Sequence, residues 1–163
     1  MKPLINADEV TLTSKTHGQK FASRTGQIGP TIGMRQLGCR LVVVPPGRRA
    51  WPLHAHHANE EMFVVLAGTG TLRLGAETHA VRSGDVIACP AGGAETAHQL
   101  INTGAEDLRY LAISTMREPE ICEYPDSGKI MALAGAGPGG DLTQRTLELC
   151  LRRQGELDYW DGE

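Results

Sequence analysis

Short apolar segments separated by turn residues dominate the middle of the chain. Between residues 34 and 115 these segments are four to eight residues long, several are rich in β-branched side chains, and each is closed by Gly, Pro or Asn. They predict strands at 37–44, 51–56, 61–66, 69–74, 78–81, 86–89, 97–102 and 108–114. None of them sustains an apolar stripe of helical period. The pattern therefore favours an all-β sandwich or small barrel.

The segments on either side of this region contain more turn residues. Residues 1–33 are polar and broken by glycines, which predicts an N-terminal arm with two short strands at most. Residues 34–116 form the predicted barrel core, and residues 117–163 a C-terminal extension that packs on the barrel. Near its end, leucines alternate with other residues and favour a strand, with a short helix from Thr143 as the alternative: Leu147, Leu149 and Leu151. A single domain of 163 residues can bury a core without disulfides.

Composition and charge exclude several classes of protein. Hydrophobic residues at 40% and charged residues at 21% are typical of a globular protein and not of a disordered one. The longest apolar run covers residues 62–67, whereas a membrane-spanning helix needs about 20 apolar residues. A net charge of −3, with Lys and Arg scattered along the chain, argues against nucleic acid as the partner.

Two further features bear on the compartment. Asp8 and Glu9 lie where a signal peptide would carry its apolar segment, so we expect no export signal. The four cysteines are far apart and form no CxxC pair, which predicts reduced thiols, with Cys89 as a buried strand residue rather than a nucleophile. Both features predict a cytoplasmic protein.

The residues that carry chemistry are concentrated between His54 and His98. His54 and His56 are two residues apart, so on a strand both side chains project from the same face. A turn before the next strand would bring a carboxylate to that face, but parity across the turn does not choose between Glu60 and Glu61. His98 can enter the same interior from a later strand. Three imidazoles and a carboxylate suit divalent Mn, Fe, Co, Ni or Zn, with coordination positions left open for a ligand.

Two glycine-framed motifs contain these residues and resemble the motifs of the cupin superfamily. The first, G-x5-6-H-x-H-x3-4-E-x6-G, is matched by Gly47, His54, His56, Glu61 and Gly68. The second, G-x5-P-x-G-x2-H-x3-N, is matched by Gly84, Pro90, Gly92, His98 and Asn102. The second motif departs from the family pattern, because five residues stand in place of two between Gly92 and His98. This departure affects the rim of the pocket more than the ligand set.

The resemblance implies a cupin-type antiparallel β-barrel, also called a double-stranded β-helix or jelly roll. It implies a divalent metal ion, Zn, Mn, Fe or Ni, held by His54, His56, Glu61 and His98, with Glu61 preferred to Glu60. Further phrases resemble a group of bacterial single-domain cupins of the cupin-2 type, whose members are often labelled sugar-phosphate isomerases: residues 90–93, 98–103, 124–129 and 158–163. Single cupins commonly pair, so a homodimer is expected.

The function stays open among three hypotheses. The first is an isomerase-like enzyme whose metal acts as a Lewis acid on a small oxygenated molecule. The second is a non-catalytic module that binds or senses a carbohydrate or organic acid, and the third is a metal-dependent dioxygenase. The partner in each case is a small molecule, neither nucleic acid nor membrane.

Other side chains near the motifs have either a structural or a functional interpretation. His57 has the wrong parity for the cluster and is expected to face outward, and Asn102 is expected to stabilise the turn that follows it. Tyr110 is either a cavity hydroxyl or a residue at a strand edge. Each of five arginines is either a surface charge or a cavity group for a carboxylate or phosphate: Arg40, Arg48, Arg49, Arg73 and Arg109.

Overall fold

The structure is a computed structural model that describes residues 3–152, 155 and 157–163 of the chain. Within these residues the strands are β1 Thr13–His17, β2 Phe21–Gln27, β3 Leu37–Val44, β4 Ala55–His56, β5 Glu61–Ala67, β6 Thr69–Leu74, β7 Glu77–Arg82, β8 Val86–Cys89, β9 His98–Ile101, β10 Leu108–Thr115, β11 Glu120–Tyr124, β12 Lys129–Ala134 and β13 Leu147–Arg152. The 3-10 helices are Ala7–Glu9, Pro30–Ile32, Ala94–Thr96, Pro125–Ser127 and Leu142–Gln144. None of these helices has the length and apolar character needed to cross a membrane.

All strand pairings in the described residues are antiparallel. Six strands form one sheet in the order β1-β2-β3-β10-β5-β8, and three form another in the order β7-β6-β9. The last three strands and the short β4 form a third sheet, in the order β13-β12-β11-β4. Strand β10 lies at the centre, because it pairs with β3 on one side and β5 on the other. The predicted all-β class is confirmed.

Strand β3 is apolar on both faces, and the packing explains why. Val42 and Val44 belong to the cluster that fills the barrel, whereas Leu41 and Val43 lie on the opposite face and pack with apolar residues of the N-terminal arm. Each of the four is at most 4% exposed. Strand β2 of the arm also pairs along β3. A strand that is buried on both faces needs no polar alternation, which accounts for the continuous apolar run in the sequence.

The main core lies between the sheets of the barrel. Its members come from β3 and from each strand from β5 to β10. Tyr110 has the largest side chain among its fully buried members. The Tyr110 ring packs edge-to-face on Phe63, with ring centroids 5.5 Å apart. Burial strongly raises the pKa of Tyr110. Tyr110 is therefore a core residue and not a residue at a strand edge, and it borders a small internal void together with His54 and His98.

The strand boundaries agree with the hydrophobic pattern of the sequence in some segments and differ from it in others. Strands β3, β6 and β8 begin and end where the sequence predicts, and the alternating leucines form strand β13 rather than a helix. The predicted segment 51–56 is instead a loop that ends in the two-residue strand β4. Pro52 has no N–H for a sheet ladder, and the Trp51 carbonyl accepts a hydrogen bond from the Gln99 side chain at 2.7 Å. Both features remove this loop from regular pairing.

Asn102 stabilises the turn between β9 and β10, as its position in the sequence predicted. Its Nδ2 donates to the carbonyls of Val44 at 2.7 Å and Glu106 at 2.8 Å. Its Oδ1 accepts from the Gly104 N–H at 2.9 Å, and the side chain is fully buried. These three hydrogen bonds join the turn to the end of β3.

Candidate metal centre

Four side chains from three parts of the barrel converge on one point. His54 lies just before β4, His56 within it, Glu61 at the start of β5 and His98 at the start of β9. The backbones of His54 and His98 are joined by two hydrogen bonds, of 3.3 and 2.8 Å. One potential donor atom from each of the four side chains lies within 4.8 Å of the others. The structure thus brings together all four residues that the motifs singled out.

Hydrogen bonds at the outer nitrogens orient the imidazoles. The Nδ1 of His54 lies 2.9 Å from the Pro52 carbonyl, and the Nδ1 of His98 lies 3.2 Å from the Thr96 carbonyl. A carbonyl oxygen can only accept, so each Nδ1 carries the proton and donates it. The Nε2 of His54 is then available to a metal, and the Nε2 of His98, which faces Glu61, becomes available once a bound ion displaces its proton. Thr96 belongs to the lengthened segment between Gly92 and His98, so the departure from the family motif itself contributes a contact that orients His98.

The carboxylate of Glu61 lies between two of the imidazoles. Its Oε2 is 2.9 Å from the Nε2 of His98 and 3.7 Å from the Nε2 of His56. That second distance is too long for a hydrogen bond. The Nε2 of His56 is buried and has no hydrogen-bond partner among the described residues. An unpaired buried nitrogen is costly, and a divalent cation between the imidazoles and the carboxylate would satisfy it.

The environment shifts the pKa values of three of these groups in different directions. Burial, and then the neighbouring His98, lower the pKa of His54 to about 4, so its ring is neutral. Burial alone would lower the pKa of His56, but its contacts with Cys122 and Glu120 and the charge of Glu61 outweigh burial and raise it to about 10. Burial opposes ionisation of Glu61, yet the hydrogen bond from His98 and the nearby imidazoles lower its pKa to about 2. A bound cation would displace the protons from this cluster.

A buried carboxylate behind His56 is the main feature that the sequence reasoning missed. Glu120 begins β11, and its side chain is fully buried. Its Oε2 lies 3.4 Å from the Nδ1 of His56, and the Cys122 sulfur lies 3.4 Å from the same nitrogen. These two contacts orient His56 in the way that backbone carbonyls orient the other two imidazoles. The E-I-C-E-Y alternation places Glu120 and Cys122 on one strand face, which is the signal that could have identified them.

Glu120 is itself held by several donors. Its Oε1 accepts hydrogen bonds from the N–H groups of His57, Ala58 and Ile121, at 3.1, 3.0 and 2.9 Å. The Asn59 side chain donates to its Oε2 and is in turn fixed by Thr115 and Arg117. Burial opposes ionisation of Glu120, but the hydrogen bonds from His56, Asn59 and the backbone outweigh it and lower the pKa. The group is therefore a carboxylate.

The residues adjacent to the cluster in the sequence lie outside it. His57 is exposed, and its Nε2 lies 2.8 Å from Glu123 on the outer face of β11. Glu60 is also exposed and lies outside the group of four converging side chains. Cys89 is buried below the cluster, and burial raises the pKa of its thiol to about 12. It is a core residue and not a nucleophile.

A cavity of about 280 Å³ opens above the cluster. One wall is aromatic and apolar, with contributions from Trp51, Phe63, Tyr124, Met131 and Leu133. The basic side chains Lys15, Arg40 and Arg145 also line it. Of the five arginines considered from the sequence, Arg40 is the one that faces this cavity. Arg73 pairs with Asp126 and Arg109 with Asp8, both near the surface.

The two cavity arginines differ in their partners. Arg145 donates to Glu148 at 2.6 Å and to the Gly137 carbonyl at 3.1 Å. The guanidinium of Arg40 lies 5.6 Å from the centroid of the Trp51 ring and forms no side-chain hydrogen bond or ion pair within the described ranges. A Cβ at Gly139 would collide with this guanidinium, so the chain leaves room for it there. Arg40 is thus positioned but not neutralised.

Comparison with known proteins agrees with this geometry. Residues 40–114 match the family model described as a cupin domain. Auxin-binding protein 1 of Arabidopsis thaliana is 41% identical over 123 residues, which cover 71% of this chain and 61% of that protein. The chain spans between half and two thirds of the length of the curated relatives it matches.

Solved structures share the fold. A candidate sugar phosphate isomerase of Acidithiobacillus ferrooxidans is 28% identical, with a TM-score of 0.73, and the match covers 80% of this chain and 86% of that one. A sugar phosphate isomerase of a cupin superfamily from Silicibacter pomeroyi is 22% identical, with a TM-score of 0.75 and 98% of both chains covered. The family model, the two motifs and the fold agree that residues 40–114 form a cupin domain.

Proposed function

We propose that His54, His56, Glu61 and His98 bind one divalent metal ion, and that the cavity above them holds a small oxygenated anion as the substrate of an isomerase-like enzyme. The observation that carries this proposal is the buried Nε2 of His56, which has no hydrogen-bond partner among the described residues and lies in a group of donors within 4.8 Å of one another. Once a bound ion has displaced the protons of the cluster, three imidazoles and a carboxylate suit Mn, Fe, Ni or Zn.

The anionic character of the substrate follows from Arg40. Its guanidinium lines the cavity, is held over Trp51, and has no carboxylate partner in the described part of the chain. A guanidinium matches the geometry of a carboxylate or a phosphate and can donate two parallel hydrogen bonds to either. Arg40 would therefore bind and orient an anionic group of the substrate beside the metal cluster.

Tyr124 and Glu148 supply the other polar groups that an isomerisation needs. When bound, the metal would supply Lewis-acid polarisation of a substrate carbonyl. Burial strongly raises the pKa of Tyr124, so its hydroxyl keeps its proton and can donate to a substrate oxygen. Among the described residues, Glu148 is the carboxylate outside the metal cluster that lines the cavity, and its ion pair with Arg145 fixes its position there.

Sugar phosphates are the first substrates to test, because they combine a carbonyl for the metal with an anion for Arg40. This choice is supported by the likeness to the two cupin structures named for sugar phosphate isomerases. Elemental analysis of the purified protein should show stoichiometric metal in the wild type and in His57→Ala, and its loss in His56→Ala. His57 is the matched control because it is the next residue and faces outward.

The isomerase itself is tested with aldose and ketose phosphates on the metal-loaded protein. We expect turnover, and in Arg40→Gln a KM raised about tenfold or more, because the anion loses its charged partner. Metal that stays bound in His56→Ala would contradict the proposed site. Turnover of unphosphorylated sugars as fast as that of their phosphates would contradict the role of Arg40.

A non-catalytic binding function is the second candidate, and a specific observation favours it. The aromatic wall formed by Trp51, Phe63 and Tyr124 suits an aromatic acid better than a hydrophilic sugar. The likeness to a protein named for auxin binding points in the same direction. Binding of an aryl carboxylate that requires both metal and Arg40, with no turnover of any sugar phosphate, would favour this candidate over the isomerase.

A further inference from the structure

A second cavity, of about 420 Å³, lies between the N-terminal arm and the C-terminal extension. Strands β1 and β2 form one side, and the turn Pro125–Ser127 with the start of β12 forms the other. Trp51 and Lys15 line both this cavity and the metal cavity, whereas none of the four metal-cluster residues lines it. It is therefore a neighbouring but separate space.

Two arginines meet at one neutral atom at the base of this cavity. The Nη1 of Arg49 and the Nη1 of Arg73 both donate to the Oε1 of Gln99, at 3.4 and 3.1 Å. Gln99 is buried, and its own Nε2 donates to the Trp51 carbonyl, which fixes the orientation of the amide. Two like charges converge on an acceptor that carries no charge. This arrangement is unfavourable unless anions are close by.

Only one of these two charges is neutralised. Asp126 binds Arg73 through two hydrogen bonds, of 2.7 and 3.0 Å. Arg49 has no carboxylate partner among the described residues, and its buried Nε has no hydrogen-bond partner there either. Its guanidinium instead lies 5.9 Å from the centroid of the Phe21 ring. Asp126, which binds Arg73 directly, interacts with Arg49 without forming an ion pair, so the charge of Arg49 is only partly compensated in a partly desolvated position.

The rest of the lining adds positive charge and apolar surface. Lys15, Lys20 and Lys129 line the cavity, and Asp126 is its single acidic residue within the described chain. The apolar surface comes from Phe21, Ala50, Trp51 and Pro52. A flat apolar body can pack on the two aromatic rings, while an anionic group reaches Arg49.

We propose that this second cavity is a binding site for a small organic anion with an aromatic body, and that Arg49 holds its anionic group. The site does not depend on the metal cluster. An aryl phosphate and an aryl carboxylate share the required chemistry, and the experiment compares the two.

Trp51 makes binding observable. The chain has two tryptophans, Trp51 in the cavity wall and Trp160, which is 71% exposed. In a Trp160→Phe background, Trp51 is the sole reporter. The probes are 4-nitrophenyl phosphate and 4-nitrobenzoate, whose nitro groups quench tryptophan on contact, and the neutral comparator is 4-nitrobenzyl alcohol. The titration uses full-length protein that has been stripped of metal with a chelator.

We expect saturable quenching by one or both anions and none by the neutral comparator at equal concentration. Arg49→Gln should weaken binding about tenfold or more, whereas Arg48→Gln should change it less than twofold. Arg48 is the matched control because it is the adjacent arginine and lies outside the cavity lining. Lys20→Gln should weaken binding about two- to fivefold by reducing the local charge, and it tests the proposal independently if Arg49→Gln does not fold.

The same titration separates this proposal from the metal site. Binding that survives in His56→Ala and is lost in Arg49→Gln places the anion in the second cavity, whatever the metal content of the protein. Binding that is lost in His56→Ala and unchanged in Arg49→Gln and Lys20→Gln would overturn the proposal and place the anion in the metal cavity. Equal quenching by the neutral comparator would also overturn it.

Discussion

Glu120 lies directly behind His56, with its Oε2 3.4 Å from the outer nitrogen of the imidazole. The carboxylate comes from β11 in the C-terminal extension, whereas His56 belongs to the histidine cluster of the barrel. A carboxylate at the outer nitrogen fixes the tautomer and orientation of a metal-binding imidazole and increases its basicity. The C-terminal extension therefore forms part of the proposed metal site.

Replacing Glu120 by Gln should weaken metal binding about 10- to 100-fold. The amide keeps the size of the side chain, but its N–H₂ group replaces one carboxylate oxygen. The groups that donated to that oxygen then have no acceptor. Competition with a chromogenic chelator measures the change in metal affinity. Glu123→Gln is the matched control, because Glu123 lies on the same strand but contacts the exposed His57. A Glu120→Gln protein that binds metal as tightly as Glu123→Gln would contradict the role assigned to Glu120.

Glu120 should also contribute to the acid sensitivity of the metal-free protein. Its pKa in the folded state is lower than the ordinary value of 4.5. The unfolded chain therefore takes up a proton first as the pH falls, so the stabilisation is complete above about pH 4.5 and is lost as the pH falls through the folded pKa. Chemical unfolding of wild type and Glu120→Gln between pH 7 and pH 3 measures this. The difference between their free energies of unfolding should shrink below about pH 4.5, and a constant difference would contradict the prediction.

Most of the histidine cluster could be predicted from the sequence because its geometry is local. The two-residue spacing of His54 and His56 fixes their common face, and the same parity places His57 outside. The positions of Glu120 and Arg145 depend instead on how the C-terminal extension packs on the barrel, which no local period reports. The second cavity requires Lys15, Arg49 and Lys129 to come together from distant segments. Only the tertiary packing determines that arrangement.

Asn102 should make a large contribution to stability. Asn102→Ala removes the donor to the buried Val44 carbonyl and the acceptor for the Gly104 N–H. Buried polar groups left without partners cost about 1–3 kcal/mol each, so we expect a loss of about 2–4 kcal/mol. Denaturant unfolding measures it. Asn6→Ala, at the exposed start of the first 3-10 helix, should cost less than about 1 kcal/mol. Equal losses in the two variants would contradict the role of Asn102.

Alanine substitutions at two turn glycines distinguish the cost of backbone strain from the cost of a steric collision. Gly68 and Gly84 have φ angles of 83° and 93°, so an alanine at either position adopts an unfavourable left-handed backbone. A Cβ at Gly68 would also lie 2.5 Å from the Asp107 carbonyl oxygen, whereas a Cβ at Gly84 would meet open space. Strain alone costs about 1–2 kcal/mol, and displacing the rigid turn beside β10 adds to it. We therefore expect Gly68→Ala to lower the free energy of unfolding by at least about 1 kcal/mol more than Gly84→Ala. Thermal and denaturant unfolding of the two variants provide the comparison, and equal destabilisation would show that the turn at Asp107 yields without cost.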